Sequence, residues 1–313
     1  MKIAYVFPGQ ASQYAGMGKE LCQEYPEAAA IFQKADDALG FSLSRLCFEG
    51  PQEELNLTAN TQPAVLTTSA ACLAVLNNVS GLAPVAVAGH SLGEYTALVA
   101  AGSLVFEDAV RLVRQRGQYM QEATPVGAGG MAAVLGLSTE LVVEVCLRAS
   151  AAGVVEAVNL NCPGQVVIAG DTAGLKAAEP LLKAAGARRV MPIPVSAPFH
   201  SSLMIPAGKR LAGDLAKVTV ADPQIPVVAN VSADLVCSGP EVKESLIKQV
   251  YSPVRWEECV LKMISLGVDT FIEVGPGKVL SGLIKKISRG SKILNVEDSS
   301  SLEKVLALTR EVS

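Results

Sequence analysis

Apolar residues recur along this chain in two rhythms. Short β-branched runs that stop at Gly or Pro predict strands at Ile3–Phe7, 85–89, 227–231, Thr270–Val274 and 293–296. Longer stretches with a helical apolar period predict helices at 17–25, 27–39, 60–77, 92–101, from Phe106 onward, and at 203–218, 241–250, 256–266 and 279–288. Strands and helices alternate, so a mainly parallel sheet covered by helices is expected. From Gln62 to Leu76 the helix at 60–77 is nearly all apolar or small and is expected to be buried.

The middle of the chain has a different pattern. Gly127-Ala128-Gly129-Gly130 precedes a strand-like run and has no Lys-Ser/Thr after it, so it reads as a hinge and not as a phosphate loop. Beyond it, 131–137, 154–159, 165–169 and 189–195 read as strands, and Thr139–Ala149 and 173–185 as helices. That is the βαββαβ order of a ferredoxin-like unit, with Asn161-Cys162-Pro163-Gly164 turning between its middle strands. The chain returns at Ser196-Ala197-Pro198-Phe199-His200-Ser201-Ser202. The expected fold class is therefore α/β. A large α/β-hydrolase-like domain, 1–127 and 197–313, carries an inserted ferredoxin-like subdomain, 128–196.

One strand end carries chemistry. The run from Val85 stops at Gly89-His90-Ser91-Leu92-Gly93, and a helical pattern starts at once. Gly-x-Ser-x-Gly between strand and helix is what a nucleophile elbow requires: a sharp turn that projects the serine hydroxyl, with glycines where strand and helix approach. The N–H of Leu92 then points at the same spot from a helix N-terminus, where developing negative charge is favoured. The loop Pro8-Gly9-Gln10-Ala11-Ser12-Gln13 follows the first strand, at the functional edge of a parallel sheet, and its N–H groups are candidates for a second oxyanion donor.

Composition narrows the chemistry further. The chain has two histidines, His90 and His200. His90 adjoins Ser91, and the elbow sends neighbouring side chains apart, so His200 is the better candidate base. No His/Cys cluster suggests zinc. The seven cysteines are scattered, with no Cys-x-x-Cys, and read as reduced core residues of a cytoplasmic protein. A net charge of −4 argues against a general nucleic-acid binder. No apolar run is long enough to predict a transmembrane helix. The N-terminus reads as a strand entering a turn and has none of the features of a signal peptide.

The helix that begins at Phe106 has an apolar stripe of Phe106, Ala109, Val110, Val113, Gly117 and Met120, and Arg116 falls inside it. A guanidinium on a core-facing stripe is costly unless paired. An internal carboxylate, an acid on a substrate, or snorkelling at the stripe edge each satisfies that demand.

Several segments then carry a resemblance: Pro8–Gln13, Gly89–Tyr95, Arg116, Pro198-Phe199-His200, Gln249-Val250-Tyr251-Ser252-Pro253-Val254-Arg255-Trp256 and Glu273-Val274-Gly275-Pro276-Gly277. Together, over essentially the whole chain, they resemble the malonyl-coenzyme A:acyl carrier protein transacylases, in the acyltransferase family of fatty acid and polyketide synthesis. The resemblance implies Ser91 as nucleophile and His200 as its base, with the N–H groups of Gln10 and Leu92 as oxyanion hole. It further implies that the main-chain carbonyl of Gln249 orients His200, in place of the acid that such hydrolase-like triads carry. Arg116 would bind the malonyl carboxylate, and Gln10, His90, Asn161 and Phe199 would stand on the substrate side of the cleft. Phe199 resembles the malonyl-selective members. Ala11 departs from the family, which has Gly there.

The implied reaction is ping-pong: malonyl passes from coenzyme A to Ser91, and then to the phosphopantetheine thiol of an acyl carrier protein. No bound cofactor is expected, and the chain is expected to act as a monomer away from membranes. Arg188, Arg189, Lys285, Lys286 and Arg289 are candidates for docking an acidic carrier. Two rivals remain: a serine thioesterase or esterase on the same fold, and a non-catalytic acyl-binding module.

Overall fold

A computed structural model describes residues 1–125, 127–195 and 197–312. Val126 and Ser196, beside the two expected domain junctions, lie outside the described residues, as does Ser313.

The strands are β1 (Ile3–Phe7), β2 (Ala86–Gly89), β3 (Gly129–Leu135), β4 (Val155–Cys162), β5 (Gln165–Asp171), β6 (Arg189–Ile193), β7 (Val227–Val228), β8 (Leu235–Val236), β9 (Thr270–Val274) and β10 (Lys292–Val296). Two sheets result. One has the order β10-β9-β1-β2-β7-β8 and is parallel except for the β7–β8 hairpin at its edge. The other, β4-β5-β3-β6, is antiparallel throughout. β1 and β9 are buried along their whole length, which fits a parallel sheet covered on both faces. The chain is thus a mixed α/β protein with a parallel sheet and a separate antiparallel one.

Helix Thr58–Ser80 is the spine of the core beside the parallel sheet. It is the one described helix long and apolar enough to cross a membrane, and 72% of its apolar window is buried inside the protein. Pro63 lies inside it and cannot donate to the carbonyl of Ala59. Arg114 Nη1 takes that carbonyl instead, at 2.8 Å. Helix Phe106–Glu122 packs against this spine where it carries Gly117. A Cβ there would lie 2.8 Å from Ala59 Cα and from the Thr58 carbonyl. The stripe glycine therefore lets the two helices close on each other beside Arg116.

Some expected elements change. β7 is two residues long and not five: Ala229 N–H turns to the Asp234 carbonyl and Asn230 N–H to the Glu94 carboxylate, which leaves no ladder to continue. The helix expected at 203–218 is a 3₁₀ turn, Ser202–Met204, followed by α-helix Ile205–Leu215, which Pro206 starts in its first turn. Helices Leu43–Glu49, Gln52–Leu55 and Ser299–Val312 and the edge strand β8 add to those predicted. All seven thiols are free, but Cys237 is exposed and Cys22 only half-buried, so the expectation that every cysteine is a core residue fails at these two.

Candidate active site

Loops from both sheets meet over the carboxyl ends of β1 and β2. β1 pairs with β2 on one side and β9 on the other, the kind of edge where open α/β sheets hold ligands. A cavity of about 240 Å³ lies there, walled on its far side by β3, β4 and β5 of the antiparallel sheet. Ser91, His200, Gln10, Leu92, Arg116, His90, Asn161 and Phe199 all line it, and Gln249 lies buried behind them.

The elbow explains Ser91. β2 ends at Gly89 and helix Gly93–Ala100 begins four residues later. A Cβ on Gly89 would lie 1.9 Å from the Gly93 carbonyl carbon, and one on Gly93 would lie 2.1 Å from the Phe7 carbonyl oxygen. Only glycine permits so close a crossing of strand and helix. Ser91 itself takes φ 52, a left-handed conformation strained for a residue with a Cβ. His200 at φ 64 and Ala11 at φ 80 share that strain. Ala11 thus occupies the backbone region that glycine favours, which gives a physical sense to the departure noted in the sequence.

Ser91 Oγ lies 2.7 Å from His200 Nε2, and His200 Nδ1 lies 2.7 Å from the Gln249 carbonyl oxygen. A carbonyl only accepts, so Nδ1 carries the proton and Nε2 is free to accept from the serine. Burial, then the nearby Arg116 charge, pull the His200 pKa down to about 3, so the ring is neutral near pH 7. His90 turns the other way. Its Nε2 lies 2.9 Å from Asn161 Oδ1, across the gap between the two sheets, and its ring tilts against Trp256 at 5.7 Å.

Arg116 is 1% exposed, so snorkelling is ruled out. No described carboxylate forms an ion pair with it either. Nη1 donates to Gln62 Oε1 at 2.8 Å, and Nη2 to Gln249 Oε1 at 2.9 Å and to Ser91 Oγ at 3.1 Å. Its guanidinium also sits 5.7 Å from the centre of the Tyr95 ring, within cation–π range. A buried cation thus faces the serine hydroxyl with neutral partners only. Its pKa is held below the usual arginine range, chiefly by burial.

The N–H groups of Gln10 and Leu92 have no acceptor within the described chain. The Gln10 side chain is tied off separately, to Thr58 Oγ1 at 3.2 Å. Both N–H groups border the cavity, and Leu92 sits at the N-terminus of the elbow helix.

Three buried polar residues at the site were missed by sequence reasoning: Gln62, Glu94 and Asn230. Burial pushes the Glu94 carboxyl up to about 7, against the pull of Asn230 N–H, the Gln249 amide and Arg116. Gln62 did leave a signal, as the polar residue at the head of a nearly apolar helix. No group of three or more His, Cys, Asp or Glu among the described residues is arranged to hold a metal.

Comparison with known proteins places nearly the whole chain in one family. The family model of the acyl transferase domain matches residues 4–311. The malonyl CoA-acyl carrier protein transacylase of Bacillus subtilis (strain 168) is 51% identical over 311 residues, covering 99% of this chain and 98% of that protein. The crystal structure of the acyl-carrier-protein S-malonyltransferase of Burkholderia pseudomallei 1710b superposes with a TM-score of 0.96 at 50% identity, over 98% of this chain and 100% of the other. A malonyl-transacylase solved in complex with its type II polyketide-synthase acyl carrier protein superposes with the same score at 44% identity, over 98% and 100% of the two chains. On the match of nearly its whole length, the chain belongs to the acyl transferase domain family.

Proposed function

We propose that this protein transfers malonyl from malonyl-coenzyme A to the phosphopantetheine thiol of an acyl carrier protein through an ester on Ser91. The observation that carries the malonyl specificity is Arg116: a fully buried guanidinium, bonded to neutral amides, 3.1 Å from Ser91 Oγ. A free carboxylate on the acyl group supplies the negative charge that this fork lacks, through two charge-assisted hydrogen bonds.

In the first half-reaction Ser91 Oγ attacks the thioester carbonyl and His200 Nε2 takes its proton. The Gln249 carbonyl holds the ring in the tautomer required and favours the imidazolium that forms. The N–H groups of Gln10 and Leu92 hold the oxyanion, each contributing roughly 10²–10³ in rate. The imidazolium then gives its proton to the departing coenzyme A thiolate. The carrier thiol enters, His200 takes its proton, and the same steps run backward to release Ser91.

Several finer readings accompany this one. The parallel-sheet part, 1–127 and 197–313, acts as an α/β-hydrolase-like domain. The insert, 128–196, acts as a ferredoxin-like subdomain, supported by its βαββαβ element order. The protein works as a cytoplasmic monomer, away from membranes and without a bound cofactor. The carrier docks at the rim where Lys286 Nζ reaches Gln165 Oε1 at 3.0 Å and where Arg188, Arg189, Lys285 and Arg289 are exposed. That two relatives are named for malonyl transfer to acyl carrier protein supports the assignment.

The test is an intact-mass measurement after mixing with malonyl-coenzyme A. A malonyl adduct on the Ser91 peptide, discharged by a holo carrier protein, is expected. Release of free malonate without transfer would make the protein a hydrolase, and an unmodified mass a binding module.

A further inference from the structure

The strained Ser91 backbone, at φ 52, has to be held by its surroundings, since the left-handed region is costly for a residue with a Cβ. The elbow helix supplies one bond, from Glu94 N–H to the Ser91 carbonyl at 3.1 Å. The remaining bonds come from residues far along the chain. Asn230 Oδ1 accepts the Ser91 N–H at 2.7 Å, and Asn230 Nδ2 donates to the Gly89 carbonyl at 2.8 Å. Gln249 Nε2 donates to the Ser91 carbonyl at 3.0 Å. Both residues are anchored on one carboxylate oxygen: Glu94 Oε2 accepts the Asn230 main-chain N–H at 2.8 Å and a hydrogen of Gln249 Nε2 at 3.0 Å. Glu94, Asn230 and Gln249 are all buried, so none of these bonds competes with water. The amide orientations follow from chemistry. An N–H needs Oδ1, a carbonyl needs Nδ2, and Arg116 needs the Gln249 oxygen.

We propose that Asn230 is a positioning residue for the nucleophile, held in place by Glu94, and that the pair clamps the Ser91 peptide so that Oγ meets His200 while the Leu92 N–H faces the oxyanion. Neither residue lines the cavity, so both act through Ser91. Without the Asn230 side chain, the Ser91 N–H and the Gly89 carbonyl are left buried and unpaired. The peptide then relaxes away from the left-handed region and carries Oγ with it. This inference rests on Ser91 being the nucleophile.

The experiment is single-turnover malonylation of the full-length protein by malonyl-coenzyme A, quenched and read by intact mass, with thermal melting alongside. Wild type, Asn230→Ala, Glu94→Ala, Glu94→Gln and the double alanine variant are compared. Asn230→Ala should slow acylation about 100-fold, the scale of a small misplacement of a reacting group. Its half-saturating malonyl-coenzyme A concentration should stay within about threefold, since no substrate contact is lost. Glu94→Gln, whose amide oxygen still accepts, should stay within about tenfold of wild type, while Glu94→Ala falls further. The double variant should be little slower than the slower single one, because both changes release the same peptide. If Asn230→Ala does not fold, Glu94→Ala, which removes the anchor that holds Asn230 and Gln249 over the Ser91 peptide, carries the same test. Lowered melting temperatures with unchanged acylation per folded molecule would overturn the proposal, and so would equal losses in Glu94→Gln and Glu94→Ala. A wild type that forms no adduct would instead remove the nucleophile reading beneath it.

Discussion

The elbow around Ser91 and the loop around His200 bring the proposed nucleophile and base within 2.7 Å of each other by different means. The elbow is largely built from its own sequence: a buried strand, two glycines at the crossing and a helix that starts at once. The histidine loop has no regular element under it. It is closed by the Ser201 hydroxyl on the Pro198 carbonyl at 2.6 Å and held by the Gln249 carbonyl, 49 residues away. It is also held from the antiparallel sheet, where the Glu156 carboxylate of β4 accepts Ser202 N–H at 2.8 Å and Ser202 Oγ–H at 2.6 Å. The Ser91 turn is thus shaped by local structure and clamped by Asn230 and Gln249, whereas His200 is held from both sheets. Changes in the antiparallel sheet should therefore reach catalysis through His200 before they reach Ser91.

The largest effects come from the reacting groups themselves. Ser91→Ala should abolish the malonyl adduct, and His200→Ala should slow its formation by roughly 10²–10⁴-fold, the range of a lost general base. Quenched-flow mass measurements read both. A His90→Ala variant more damaging than His200→Ala would reverse the assignment of the base.

Glu156→Ala comes next and tests the contrast between the two regions. It removes two hydrogen bonds from the loop that carries His200 and none from the elbow. Acylation should slow by about tenfold, the scale of one or two lost bonds. The reaction of Ser91 with a small phosphonofluoridate should slow equally, because it needs the same base. Unchanged acylation would mean that the antiparallel sheet does not govern His200.

A smaller effect is read in stability against pH. His200 has a folded pKa of about 3, below its ordinary 6.5, because it is buried beside Arg116. Below pH 6.5 the unfolded chain binds a proton that the native state refuses. The stability contributed by keeping this ring neutral is therefore complete above pH 6.5 and is lost as pH falls toward 3, by at most about 1.4 kcal/mol per pH unit. Urea unfolding of wild type and His200→Ala at pH 7 and pH 5 should show the shallower acid loss in the variant. Parallel losses would contradict the buried neutral ring.

The same contrast marks what was legible in the sequence. The element bounds of Ile3–Phe7, Thr139–Ala149 and Thr270–Val274 follow from local pattern alone. Ser91 announces itself through its glycines, and His200 through the scarcity of histidines. Arg116 was visible as a cation on an apolar stripe, but its partners were not. They are amides at positions 62 and 249, which periodicity does not connect. Asn230 falls in a run, Val227–Val231, that predicts a strand because it is apolar on both sides of that residue. Its work is done toward Ser91, 139 residues earlier, a separation at which sequence spacing carries no information. The short helices Leu43–Glu49 and Gln52–Leu55 have too few turns to show a period.

The most direct test of the account is the ratio of kcat/KM for malonyl and acetyl thioesters, measured in wild type and in Arg116→Ala. Two charge-assisted hydrogen bonds at about 1.5–3 kcal/mol each predict a malonyl loss of roughly 10²–10⁴-fold in the variant. Acetyl transfer should be spared or improved, because the wild-type site leaves its buried cation unpaired when acetyl is bound. Equal losses for both thioesters would make Arg116 a structural member of the Gln62–Gln249 network and would contradict its role in choosing malonyl.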